Sequence, residues 1–387
     1  MFTSNTVKLA LLKQRAYNLR WATVPDGVIP LTAADPDFPC AEPIQEAVAR
    51  YAKDGYFSYG PPEGLPEFRE ALAVHYQEIK RVSYLPQYIL PVDSAAFGIF
   101  LTCQSFLAVG DKAIIFDPVD FLFRYSVEAV GAIAVPFAIP PGTEKVDFSQ
   151  LEQLITPQTK MICLCNPLNP TGKVFTPTEL LELVAVAEKH NLLILSDEIW
   201  SDIVFEPFAY TSIASLNEEA KSRTITITGF SKSYGLAGLR IGAILVSNAA
   251  HFQKIYHTSL HQSTIHGSNV IGQIAATTAL QECRGWLTEF IQHLQAMRDL
   301  CVTKLNEIEG FSCIPPQGCY VAFVNIVGTG INSADLQKLL LEKAKVAVVP
   351  GLKQWFGEGA EGYIRLSFAT SAEILEEALF RINKNLL

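Results

Sequence analysis

An α/β fold, with a mostly parallel sheet between helices and a smaller α+β unit after it, is what this sequence predicts. Three observations carry the prediction. Short β-rich runs alternate with helical stretches through the middle of the chain. Hydrophobic residues make up 49% of the 387 residues and charged residues 18%, enough for a large buried core and too apolar for a disordered chain. From about Gln281 the alternation gives way to one long helical stretch followed by isolated strands and helices.

Taken in order, the chain opens on an arm punctuated by proline and aspartate, ending in Leu31-Thr32-Ala33-Ala34-Asp35-Pro36-Asp37-Phe38-Pro39. Apolar spacing predicts helices over 43–52 and 65–79. The segment between them, Tyr56-Phe57-Ser58-Tyr59-Gly60-Pro61-Pro62-Glu63-Gly64, holds two prolines and two glycines and must be loop. Seven β-rich runs follow, at 89–92, 112–116, 133–137, 161–165, 192–196, 224–228 and 241–246. Helices or long connections separate them, which implies a seven-stranded, mostly parallel sheet covered on both faces. A helical stretch over 281–308, a strand at 320–326, a helix near 333–344, a strand at 363–368 and a helix from Ala372 complete the chain. The expected division is an arm at 1–40 that joins part of the small domain, a large domain at 41–282, and a small domain at 283–387. There is no internal repeat and no low-complexity linker.

The net charge of −9 and the lack of any lysine- or arginine-rich block argue against nucleic-acid binding, which needs clustered cations. The first twenty residues carry Lys8, Lys13 and Arg15 without a continuous apolar core, so no signal peptide is expected. The longest apolar stretch, 95–109, is broken by Thr102, Gln104 and Ser105 and is too short to span a bilayer. Eight cysteines are scattered without disulfide or metal-ligand spacing. Cys163 and Cys165 alternate on a predicted strand, where packing is the expected role. A cytoplasmic enzyme without a metal is the natural expectation.

Three segments carry chemistry: Asn166-Pro167-Leu168-Asn169-Pro170-Thr171-Gly172, Ser196-Asp197-Glu198-Ile199-Trp200, and Ser231-Lys232-Ser233-Tyr234-Gly235-Leu236-Ala237-Gly238-Leu239-Arg240. Each follows a predicted strand, so all project toward the sheet edge where ligands of open α/β folds gather. Asp197 alone would be read as a helix cap or strand-end turn. An asparagine, an aspartate, a lysine and an arginine in this order are instead what a pyridoxal phosphate enzyme requires. Arg365, in Tyr363-Ile364-Arg365-Leu366-Ser367, falls on the strand face opposite Ile364 and Leu366. Its guanidinium fork suits a carboxylate in a way lysine does not, although a surface ion pair is the plainer alternative.

With these residues the chain resembles fold-type I pyridoxal phosphate enzymes of the class I/II aminotransferase superfamily over nearly its whole length. The resemblance implies that 41–282 is the cofactor-binding domain, that Lys232 bonds covalently to pyridoxal 5'-phosphate, and that Asp197 pairs with its ring nitrogen. It further implies that Asn169 approaches the ring hydroxyl, that Ser231 and Arg240 bind the phosphate, and that Arg365 grips the substrate α-carboxylate beside Asn169 and Ala34. Tyr59 resembles the tyrosine that reaches the phosphate in the partner subunit, which implies a homodimer with shared sites. The phosphate is also expected at the helix start after Asp93, on Ser94, Ala95 and Ala96, with Asp93 as an N-cap facing away. Phe121 is the candidate to stack on the ring, with a core position as the alternative.

Two reactions fit. The run Gly235–Gly242 resembles ordinary aminotransferases, which move an amino group between an L-amino acid and a 2-oxo acid. The arm residues Ala33–Phe38 and the stretch Asp197–Phe205 resemble instead the cystathionine β-lyase-type subgroup, which eliminates at the β- or γ-carbon. Trp200 departs from the tyrosine or histidine of these relatives. An indole donates one hydrogen bond and accepts none, so Trp200 shapes the pocket or simply packs. His261 and His266 are candidates to read a side-chain carboxylate or to act as a second acid or base, against the plainer expectation of solvated or capping histidines. A transcription regulator built on the same fold would need a DNA-binding domain, for which there is no room before Pro39. Aminotransferase is the expectation, with lyase as its alternative.

Overall fold

The computed structural model describes residues 2–386; Met1 and Leu387, the outermost residues of the predicted arm and small domain, lie outside it. The arm contributes one short strand, β1 (Ile29–Pro30). Seven strands then form one sheet: β2 (Ile89–Val92), β3 (Lys112–Asp117), β4 (Ile133–Ala138), β5 (Thr159–Cys165), β6 (Leu193–Asp197), β7 (Thr224–Gly229) and β8 (Gly242–Leu245), in the spatial order β2-β8-β7-β6-β5-β3-β4. Each overlaps a predicted run. From β4 across to β7 every pairing is parallel, and β8 runs antiparallel to both β7 and β2.

The reversal at β8 has a simple cause. A parallel return needs a crossover that carries the chain back to the opposite edge, usually a helix. Between Gly229 and Gly242 there is only a loop with a single 3-10 turn, Ala237–Leu239, so the chain re-enters from the edge it left. That loop holds Lys232 and Arg240, which keeps both at the carboxyl edge of the parallel strands.

Strands buried on both faces explain why continuous apolar runs mark them: Met161, Ile162, Cys163, Leu164 and Cys165 of β5 are all buried. The helix Pro177–Lys189 starts on a capping box, in which Thr176 Oγ1 accepts from the Glu179 amide and Glu179 accepts from the Thr176 amide. It lays Leu180, Leu183 and Ala187 against the sheet. On the other side, the helix Ala95–Phe106 sits so close that a Cβ on Gly242 would lie 2.7 Å from the Ala95 amide nitrogen. Glycine alone lets this helix start approach β8.

A second sheet, wholly antiparallel, has the order β12-β13-β10-β9, from β9 (Ser312–Cys313), β10 (Val321–Asn325), β12 (Val349–Pro350) and β13 (Tyr363–Ser367). Beside it, β11 (Val346–Ala347) pairs in parallel with β1. The helices Arg284–Asn306 and Ala372–Leu386 cover this unit, and one apolar cluster joins Phe290 and Leu294 of the first to Leu379 of the second and to Trp21 and Leu31 of the arm. The arm is anchored by charge as well: Arg20 and Asp37 form a fully buried ion pair, and the Trp21 indole donates to Asp37 Oδ1 at 2.7 Å. Among the described residues, no helix is long and apolar enough to cross a membrane.

Candidate active site

Loops after β3, β5, β6 and β7, together with the start of the helix Ala95–Phe106, enclose a cavity of about 290 Å³. Lys232, Asp197, Asn169 and Arg365 all line it. Lys232 Nζ donates to the Ala34 carbonyl at 2.6 Å and stands 5.3 Å from the centre of the Trp200 ring. Burial pulls its pKa below the ordinary lysine value, against the opposing charges of Asp35 and Asp120. More of this amine is therefore neutral, and able to take a proton, than for a lysine in water. The turn that carries it is pinned from behind, where Ser233 Oγ donates to Asp202 at 2.8 Å and Lys80 holds the same carboxylate at 2.6 Å.

Asp197 ends β6 at 7% exposure. Its Oδ1 accepts from the Ile199 amide at 3.1 Å. Burial pushes its pKa up to about 7, with Asp120 and Glu198 adding to the rise. A carboxyl so placed is returned to its anionic form by a cationic N–H donor brought against it. The neighbouring Glu198 faces the other way, accepting from Ser212 Oγ at 2.7 Å and Tyr76 at 3.2 Å.

The Asn166–Gly172 loop folds back on itself through the Leu168 amide, which donates to Lys173 O at 2.8 Å. Its two asparagines divide the work. Asn166 is wholly buried and spans Phe175 N at 3.2 Å and Thr211 O at 3.3 Å, outside the cavity. Asn169 faces inward, donating Nδ2–H to Asp120 Oδ2 at 2.8 Å and accepting from Arg365 Nη1 at 3.2 Å. Arg365, 8% exposed on β13, also donates to Thr32 O at 3.2 Å and lies over the Phe356 ring, while its Nε is buried without a partner. The surface ion pair is thereby ruled out.

At the helix start expected to take the phosphate, Ser94 rather than Asp93 is the N-cap, its Oγ accepting from Phe97 N at 3.1 Å. Asp93 is exposed and outside the cavity, whereas Ser94, Ala95 and Ala96 line it. The first amides of a helix have no partner within it, so those of Ala95 and Ala96 form an anion-attracting end. Ser231 and Arg240 share this wall. The Arg240 backbone is left-handed at φ 51° and held by Asn269, whose Nδ2 donates to its carbonyl at 2.9 Å.

Phe121 does not line the cavity. The helix Leu122–Ala129 begins immediately after it, which turns its ring outward against Tyr125 and Trp355 at 5.6 and 5.4 Å. Asp120, Leu122 and Phe123 form the wall there instead. Trp200 is 2% exposed; it lines the cavity and packs edge-on against Tyr320 at 4.6 Å. It therefore both packs and shapes the pocket. Tyr59 is 87% exposed and away from the cavity of its own chain, with the His266 ring 5.3 Å distant. His261 is buried and bound to the Pro91 carbonyl at 3.2 Å. That contact takes it out of the cavity.

One charged cavity group, Asp120, escaped the sequence reading. Asp120 follows β3 by three residues, so the strand-end rule that found Asp197 would have found it. Tyr320 lies outside the cavity lining but donates its hydroxyl to Ala34 O at 3.1 Å, the carbonyl that Lys232 also holds, and carries no such signal.

Residues 26–382 match the family described as aminotransferase class I and II, and the chain belongs to it. It is 33% identical over 363 residues to an aspartate aminotransferase of Pyrococcus abyssi, covering 92% of this chain and 91% of that protein. Its fold is similar to the crystal structure of the aromatic aminotransferase from Pyrococcus horikoshii OT3, with a TM-score of 0.87, 30% identity and coverage of 93% and 96%. A PLP-bound structure from Clostridium difficile 630 superposes with a TM-score of 0.88 at 25% identity, covering 97% and 96%. The protein is thus a pyridoxal phosphate-dependent aminotransferase of fold type I. The cystathionine β-lyase-type features read from 33–38 and 197–205 find no support in these relatives, and the lyase alternative is not favoured.

The cavity fits the cofactor. A buried carboxyl that gains from a cationic partner, an amine of lowered pKa and a helix start free of acidic side chains are the groups it needs at three separate points. Bound there, pyridoxal phosphate supplies an electron sink for the substrate α-carbon.

Proposed function

We propose that this protein moves the α-amino group of an L-amino acid to a 2-oxo acid, as a cytoplasmic homodimer. The observation that carries this reading is the convergence of Lys232, Asp197 and Arg365 on one cavity. In it Lys232 holds the cofactor covalently and, once released by substrate, moves the proton at the α-carbon. Asp197 faces the ring nitrogen and Asn169 the ring hydroxyl. Ser94, the Ala95 and Ala96 amides, Ser231 and Arg240 hold the phosphate. Arg365 takes the α-carboxylate, with Asn169 and the Ala34 strip completing that subsite. Trp200 fixes the shape of the wall beside Lys232. The arm at 1–40 and the residues from 283 onward act together as the smaller domain, a division that the β1–β11 pairing supports.

The exposure of Tyr59, with Tyr56 at 80% and Phe57 at 64% beside it, supports a second copy covering this loop, since solvent contact is costly for such a patch. All eight cysteines are free, which agrees with a reducing compartment. The substrate preferences of the relatives, aspartate for one and aromatic amino acids for another, leave the side chain to be measured.

The experiment is a product assay on the purified holoenzyme with a panel of L-amino acids, with and without a 2-oxo acid. Transfer predicts one loss of the cofactor's visible band per site, recovered only when a 2-oxo acid is added. Sustained release of ammonia without acceptor would refute it.

A further inference from the structure

Among the described residues, five charged side chains line the cavity, and four of them have a place in the reading above; Asp120 has none. Its carboxylate stands between the groups assigned to the substrate. Oδ2 accepts from Asn169 Nδ2 at 2.8 Å and lies 3.9 Å from Arg365 Nη1. Oδ1 accepts from the Leu122 amide at 3.3 Å. Capping the helix at Leu122 therefore accounts for one oxygen only, and each oxygen keeps acceptor capacity. A separation of 3.9 Å leaves arginine and aspartate without a mutual hydrogen bond, and the Arg365 Nε still lacks a partner. Both side chains line the cavity, so each can offer its free hydrogen-bonding capacity to a ligand there that bears both charges. Asp120 also acts on Lys232: burial lowers that lysine, and Asp35 and Asp120 are the leading charges that oppose the effect.

An α-amino acid arrives with a carboxylate and an ammonium on the same carbon. With the carboxylate on Arg365, the nitrogen must approach Lys232, whose place it takes, and Asp120 flanks that approach. A 2-oxo acid brings the carboxylate without the cation, so beside Arg365 it meets the Asp120 charge uncompensated. We infer that Asp120 is the subsite for the substrate α-ammonium, a specificity residue that favours amino-acid zwitterions over amine-free carboxylates. This rests on the roles given to Lys232 and Arg365 under Proposed function.

The test uses Asp120→Asn holoenzyme, in which the amide oxygen can still cap Leu122. Two affinities are measured: that of an L-amino acid, by titrating the cofactor's visible band, and that of the same compound with hydrogen in place of the amine, by competition. The amino acid should bind about tenfold more weakly, the scale of one lost hydrogen bond to a charge, while the amine-free carboxylate binds equally or more tightly. Unchanged amino-acid affinity, or equal weakening of both ligands, overturns the inference; the second result would mean that Asp120 acts only through Asn169 and Arg365. Should the variant fail to fold or to retain cofactor, Asp120→Glu serves. Its preference for the amino acid should persist, and its loss overturns the inference. If no amino acid perturbs the wild-type band, the aminotransferase chemistry itself fails and the inference falls with it. A wild-type response that Asp120→Asn leaves intact removes this inference alone.

Discussion

Arg365 Nη1 donates to Asn169 Oδ1 at 3.2 Å, so β13 of the small sheet and the loop after β5 of the large sheet meet in one side-chain pair inside the cavity. The planar fork can serve Asn169, the Thr32 carbonyl and an incoming carboxylate from fixed directions. Lysine offers one compact charge and loses the stacking on Phe356. Arg365→Lys should raise KM for the amino acid by roughly 10- to 100-fold, with a smaller effect on kcat, since the grip is made in the ground state as well. Steady-state kinetics at saturating 2-oxo acid would show it; an unaltered KM means the carboxylate binds elsewhere.

On the proposed role of Lys232, Lys232→Ala removes both the covalent hold on the cofactor and the amine beside the α-carbon. Turnover should fall by about a thousandfold or more, the range in which a positioned acid-base group contributes. A second readout separates this from misfolding. After borohydride reduction, the wild-type peptide containing Lys232 should carry the cofactor's mass, and the variant should carry none on any peptide. A labelled peptide elsewhere would move the site.

Burial raises the Asp197 pKa from the ordinary 3.8 to about 7, and the sign of its stability effect follows. Between those two values the folded apoprotein binds more protons at this site than the unfolded chain, so its stability falls as pH rises through the window. Asp197→Asn cannot ionise and lacks this slope. The difference in unfolding free energy between apo wild type and apo Asp197→Asn, followed by thermal melting, should grow from pH 4 to pH 7 in favour of the variant, by about 4 kcal/mol at most. If Asp197 faces the ring nitrogen as proposed, the order should reverse in the holoenzyme, because a ring cation would stabilise the carboxylate. Parallel melting curves for the two apoproteins would show that Asp197 is not desolvated.

How much of this was legible depended on the kind of force involved. Most of the seven strands could be read because both of their faces are buried, and continuous runs such as Met161–Cys165 record that directly; β4, at the sheet edge, is largely exposed. The edge that carries the cavity followed, since strand ends fix where Asn169, Asp197 and Lys232 emerge. Adjacent residues of similar type were harder: Asp93 and Ser94 are both capping residues, and only the direction of the chain into the helix Ala95–Phe106 selects serine. Phe121 was misplaced for a related reason, because one residue of rotation at the β3 exit exchanges an outward ring for the inward carboxylate of Asp120. The Arg20–Asp37 pair was invisible. Nothing in the sequence marks which of 30 lysines and arginines will be fully buried against a partner 17 positions away.

The exposed loop at Tyr59 leads to the prediction that tests the assembly. If Tyr59 completes the neighbouring subunit's site, Lys232→Ala and Tyr59→Ala damage each site from different chains. A mixed dimer then holds one site with both lesions and one with neither, as two-fold symmetry requires. Each variant alone should be weakly active, and co-refolding equal amounts should restore about a quarter of the wild-type activity, since random pairing makes half the dimers mixed. Mixing without refolding should restore nothing until subunits exchange, so the time course of recovery also reports dimer dissociation. Activity that never exceeds the average of the two variants would place Tyr59 outside the partner's site, even if sedimentation shows a dimer. A monomer that retains full activity would remove the shared site altogether, and Tyr59 would then need another explanation for its exposure.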